Sequence, residues 1–208
     1  MIIPSAWRNI TLNQFIQLQE LKETGNKITD TVNKIAVLTN STPDKVRGLT
    51  PKKIAKISKR LDFVERLPKE KKVKYFYYKF RLYKREKLDY TTSNQVTDIL
   101  TLNADEKNVG KKILNTLAVL YYRGNNKDYD ADRYSKIKDE LKDLDFETAL
   151  NSATFFLTGL RQFLPGVLAQ YFQKLTTYQM EALINEVGNI GKIYDLKEYA
   201  RFINGTTL

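Results

Sequence analysis

The sequence predicts a mainly α-helical chain carrying one small β-hairpin, and three observations support this. Helix starts recur as a Thr-x-x-Gln box and as Thr-Pro pairs. Apolar residues return at spacings of three and four through most of the chain. One stretch alone, from Val73 to Tyr83, switches to a period of two and is rich in aromatics, the signature of strand. At 42% hydrophobic and 28% charged over 208 residues, the chain is able to bury its own core and too apolar for disorder. The pattern divides into an N-terminal helical unit at 1–68, a basic aromatic connector at 69–90, and a C-terminal helical unit at 91–208.

Residues 1–10 read as extended, with Pro4 lacking a backbone donor and Trp7 expected as an anchor against the first helix. Thr11 and Gln14 form a capping box for a helix to about Lys22, with Leu12, Phe15, Ile16 and Leu21 on roughly one side and Gly25 as the stop. Asp30 or Thr29 is expected to cap a second helix bearing Val32, Ile35, Ala36 and Leu38. Thr42-Pro43 opens a short helical turn. Thr50-Pro51 opens a longer helix, with Ile54, Ile57, Leu61 and Val64 on its apolar side and Lys52, Lys53, Lys56, Lys59 and Arg60 over much of the rest. Leu67-Pro68 ends that unit.

The hairpin is expected to turn near Tyr78–Phe80, although no Gly or Asn-Gly marks it; a single basic helix is the alternative. Thr91 or Thr92 then caps a helix with Val96, Ile99 and Leu100. Another is expected from Lys107 to Tyr122, burying Val109, Ile113, Leu114, Leu117 and Leu120. A polar loop leads to helices at about Asp132–Leu141 and Phe146–Leu160. After the Leu164-Pro165-Gly166 break come a helix to Leu175 and helices at Thr177–Val187 and Leu196–Ile203.

Composition narrows the chemistry. The chain contains no Cys and no His, which removes disulfides, thiol nucleophiles, Ser-His and Cys-His dyads and the usual zinc sites. A non-enzymatic protein without cofactor is expected. No apolar run is long enough to span a bilayer, and Met1–Ile10 lacks the pattern of a signal peptide, so synthesis in a cytoplasm is expected.

Charge points to one place. Between Lys52 and Lys87 stand fifteen Lys and Arg against four Asp and Glu, an excess equal to the net charge of +11 of the whole chain. Basic and aromatic residues interleave most densely at 69–90, so the candidate contacts for nucleic acid or another polyanion are Lys69, Lys71, Lys72, Lys74, Tyr75, Tyr77, Lys79, Arg81, Lys84, Arg85 and Lys87. There Lys and Arg would neutralise phosphates while Tyr rings stack on bases. An acidic protein partner, and a plain solvated face over a core of aromatics, are the competing readings.

Two further motifs are weaker. Asp128, Asp130 and Asp132 have calcium-loop spacing, but Arg133 and Asp139 occupy the positions that need Gly and Glu. They are expected to cap the following helix, and no metal is expected. Gly188 to Lys192 resembles half a phosphate loop, but Glu186 and Ile193 break the motif, so a helix–helix turn is expected.

The segments Trp7–Phe15, DTVNKIAVLTNSTPDKVRGLTPKKIAKI, KVKYFYYKFRLYKREKLDYTTSNQVTDIL, NTLAVLYYRG and SATFFLTG together resemble small morphogenesis proteins of tailed bacteriophages, notably gut Bacteroidetes phages including crAss-like ones. The match covers roughly residues 5–172 and is one of helix starts and apolar spacing. The resemblance implies a virion or assembly protein, in the capsid, at the neck or portal, or in the tail. It would be made in the host cytoplasm and carried in the particle, with other phage structural proteins and DNA as partners and a homo-oligomeric or symmetric assembly as its setting. A tail assembly chaperone absent from mature particles and a DNA- or RNA-binding regulator are the alternatives. The resemblance assigns no residue a role.

Overall fold

The computed structural model of the chain describes residues 1–66, 68–69, 71, 73–85, 93–124 and 128–154. They form a mainly helical fold with a small antiparallel sheet, as expected. A 3-10 turn at Trp7–Asn9 precedes α1 (Leu12–Glu20), α2 (Lys27–Leu38), α3 (Pro43–Arg47) and α4 (Pro51–Arg60). A second 3-10 turn, Asp62–Glu65, leads to β1 (Tyr75–Tyr78) and β2 (Arg81–Arg85). Then come α5 (Ser93–Ala104), α6 (Val109–Leu120), β3 (Tyr121–Arg123) and α7 (Ala131–Leu141), with residues 146–154 helical again. The helices expected beyond residue 160, the Thr91 or Thr92 cap and the Gly188 turn lie outside the described residues.

Most expected helix starts are present. Thr11 and Gln14 make the reciprocal capping box, and the Gln14 amide also donates to the carbonyls of Val37 and Leu38, so one side chain joins the start of α1 to the end of α2. Thr42 and Thr50 cap α3 and α4 ahead of Pro43 and Pro51, and Asp130 caps α7 by accepting from the Arg133 amide. The cap of α2 is a correction. Asn26 accepts from the Ile28 and Thr29 amides, while Asp30 accepts from the Thr24 amide and hydroxyl and braces the turn at Gly25 (φ 79°).

A second correction concerns Tyr121 and Tyr122. They leave the helix expected to run to Tyr122 and become β3, because their backbone groups pair with β2: Tyr83 opposes Arg123, Lys84 opposes Tyr122, and Arg85 opposes Tyr121. The move buries the Tyr121 ring 5.0 Å from Phe76. Sheet pairing outweighs the helical period there.

The core is centred on α6, whose residues from Lys112 to Leu120 are all buried between α1, α5 and α7. Its buried Asn115 and Thr116 side chains are hydrogen-bonded. Asn115 donates to Leu102 and Asn103 and accepts from the Tyr134 hydroxyl, and Asn103 donates to Thr116. The N-terminal segment is joined to residues 142–146 by backbone bonds from Leu12 to Leu144, from Asn13 to Lys142 and from Phe146 to Ile10, each 2.8 Å. Around this seam Phe146 stacks on Phe15 (4.0 Å between centroids) and touches Trp7 (4.7 Å), while the Trp7 indole donates to the Arg66 carbonyl. Trp7 is thus the anchor expected of it.

The approach of α1 to α6 requires glycine at one position. A Cβ on Gly110 would lie 2.6 Å from Ile16 Cγ1 and 3.0 Å from Phe15 Cδ1. Gly110→Ala is therefore expected to lower stability by about 1–3 kcal/mol in a urea titration, through overpacking rather than helix propensity. An unchanged midpoint would mean that the two helices separate freely.

Candidate polyanion-binding surface

The hairpin forms where the period of two begins. Phe76, Tyr78, Arg81 and Tyr83 share its inner face, and Tyr75, Tyr77, Leu82 and Lys84 its outer face. The turn residues Lys79 (φ 47°) and Phe80 (φ 59°) both adopt the left-handed conformation that two-residue hairpins require. Asn-Gly would take it with little strain, whereas here it costs on the order of 1 kcal/mol per residue. The missing turn signal is therefore strain accepted by the fold.

The sheet divides the predicted contact residues. On the inner side and at the tip, cations meet carboxylates from the end of α7 and beyond. Arg81 and Arg123 both reach Glu140 (3.1 and 2.6 Å), Lys79 reaches Asp143 (3.6 Å), and Lys71 reaches Glu147 (2.6 Å). Arg85 turns inward and is partly buried, and desolvation lowers its pKa. Lys69, Lys74, Lys84, Tyr75 and Tyr77 remain exposed, and no carboxylate among the described residues pairs with those three lysines. Lys72 and Lys87 lie outside the described residues. The aromatics divide in the same way, since Phe76 and Tyr83 are core.

Glu140 also accepts a 2.6 Å hydrogen bond from the Tyr83 hydroxyl. Burial and then this bond raise the Tyr83 pKa from 10.0 to about 12. The folded state therefore holds the phenolic proton more tightly than the unfolded chain. Its contribution to stability is complete below pH 10 and is lost as pH rises through about 12. Denaturation midpoints should fall across that window, and Tyr83→Phe should flatten the fall.

The unneutralised positive charge gathers on α4. Lys52, Lys53, Lys56, Lys59 and Arg60 are all exposed, and no ion pair among the described residues involves them. At about 100° per residue they occupy one arc of roughly 120°. The opposite side carries Ile57 and Leu61 into the core and Ile54 partly so. Thr50 and Pro51 fix where the helix begins, and so which residues form the stripe.

The stripe is electrostatically unfavourable for the free protein. Lys52 with Lys56 and Lys56 with Arg60 are like-charge pairs four apart, each destabilising by about 0.2–0.5 kcal/mol. Lys52 and Lys53 stand in the first turn, at the positive end of the helix dipole, and that turn contains no acidic residue. Such a surface suits a ligand of dense negative charge.

The charge count of 52–87 located the basic region but not this division, because the neutralising residues Glu140, Asp143 and Glu147 lie far along the chain. The stripe itself could be read from the sequence: five cations on one helical face, of which Lys59 alone has an acid three or four residues ahead, Asp62. A separate groove of about 500 Å³ opens beside α1 and α2 over Phe15, Leu18, Ile35, Leu61 and Val64, and its rim carries both signs of charge. Comparison of the chain with protein-family models, with curated proteins and with solved structures finds no match.

Proposed function

We propose that the protein is a non-enzymatic assembly component of a tailed-phage particle that holds DNA by its phosphate backbone through α4. The observation that supports the polyanion reading is the stripe of five exposed cations, unpaired among the described residues and kept at a cost to the helix that bears it. The phage setting rests on the pattern of helix starts and apolar spacing in residues 5–172. Lys71, Lys79 and Arg81, engaged with Glu147, Asp143 and Glu140, contribute less.

Equilibrium binding to a short DNA duplex at graded salt tests the polyanion reading. Three to five neutralised phosphates should give a slope of log affinity against log salt of about −2.7 to −4.5. Absent or salt-insensitive binding would overturn the reading. Quantitative mass spectrometry of purified particles tests the setting. A copy number matching a symmetric ring or shell is expected, whereas absence from particles would favour a chaperone or regulator.

A further inference from the structure

We propose that the open edge of β1 docks an extended acidic segment of a partner protein, which adds to the sheet as a fourth strand. This is independent of DNA binding by α4.

The strand order β1-β2-β3 leaves β1 outermost, and no other strand among the described residues pairs with it. Its register settles which backbone groups face outward. The Arg85 amide donates to the Lys74 carbonyl, which makes Lys74–Arg85, Phe76–Tyr83 and Tyr78–Arg81 the hydrogen-bonded pairs. Tyr75 and Tyr77 therefore turn their N–H and C=O groups away from β2, ready for an incoming strand.

The side chains around this edge are arranged for contact. Tyr75 and Tyr77 are 63% and 72% exposed on the outer face, and Phe80, at the strained tip, is fully exposed at 108%. Strain held at a fully exposed aromatic is a sign of function rather than of packing.

Charge decides the occupant. Lys74 stands at the start of the strand and Lys84 beside Tyr75, and neither is paired among the described residues. Two copies joined edge to edge with Tyr75 opposite Tyr77 would set Lys74 of each opposite Tyr78 of the other, one residue from Lys79, within a chain of net charge +11. A single-stranded nucleic acid could stack on the Tyr rings but would leave the outward backbone groups unused. An acidic strand satisfies both the charge and the backbone.

The test titrates the full chain with a short synthetic peptide of alternating aspartate and valine, following backbone amide exchange and peptide anisotropy. Protection confined within β1 to the Tyr75 and Tyr77 amides is expected. Tyr77→Pro removes an outward N–H that β2 does not use, so it should weaken binding at least about tenfold with the sheet retained. Phe80→Gly should raise the melting temperature by relieving the turn and also weaken binding, a combination that loss of folding cannot produce. No protection with the peptide overturns the proposal. So does an oligo(dT) response at the Tyr rings without amide protection, which would indicate stacking. Tyr75 and Tyr77 protection that appears with protein concentration alone would also overturn it, in favour of self-pairing.

Discussion

Replacing Phe146 with alanine is expected to lower stability by about 3–5 kcal/mol, the largest effect of any single change considered. Its ring is fully buried, stacked on Phe15 and in contact with Trp7, and its amide donates to the Ile10 carbonyl. Truncation would therefore open a cavity where three segments meet: the N-terminal turn, α1 and the helical residues after 145. A marginally stable domain rarely tolerates a loss of that size, so chemical denaturation should show a much earlier midpoint. Phe146→Leu, which keeps most of the volume, should recover part of the loss. A loss below about 1 kcal/mol for alanine would mean that the seam is not part of the cooperative core.

Removal of the Glu140 carboxylate should have the next largest effect. Glu140→Ala leaves Arg81, Arg123 and the Tyr83 hydroxyl without their shared acceptor, at an expected cost of about 2–3 kcal/mol. Arg81 is largely exposed and water will replace part of its bond, which keeps the figure below that for a fully buried pair. Glu140→Gln retains an acceptor for one partner and should fall between. In a cycle with Tyr83→Phe the two changes should be non-additive, because both remove the same hydrogen bond. Simple additivity would show that the carboxylate acts through the arginines alone.

Much of this fold was legible in local sequence, for physical reasons. Thr11 with Gln14, and Thr42 and Thr50 ahead of proline, satisfy backbone donors within a single turn, so neighbouring residues suffice to locate them. The state of Tyr121 and Tyr122 is hidden from the local pattern because it depends on pairing with β2, some forty residues earlier. The α2 cap is ambiguous in the sequence because Asn26, Thr29 and Asp30, residues of similar capping strength, all lie near that helix start. The division of the basic region was hidden in the same way as β3. The carboxylates that neutralise Lys71, Lys79 and Arg81 come from positions 140–147, and only the tertiary fold brings them across. Local charge counting therefore favours the hairpin, while the ion pairs single out α4, whose cations have no such partners among the described residues.

One comparison tests the central claim, that α4 rather than the hairpin holds the polyanion. Lys52, Lys56 and Lys59 changed together to Gln, and Lys71, Lys79 and Arg81 changed together to Gln, each remove three positive charges. Binding of both variants to the same DNA duplex would be measured at one salt concentration. The first set should lose affinity at least about tenfold with a shallower salt slope, and the second should lose less than about threefold. Equal losses would show that net charge alone governs binding, and a larger loss from the hairpin set would place the contact surface there instead.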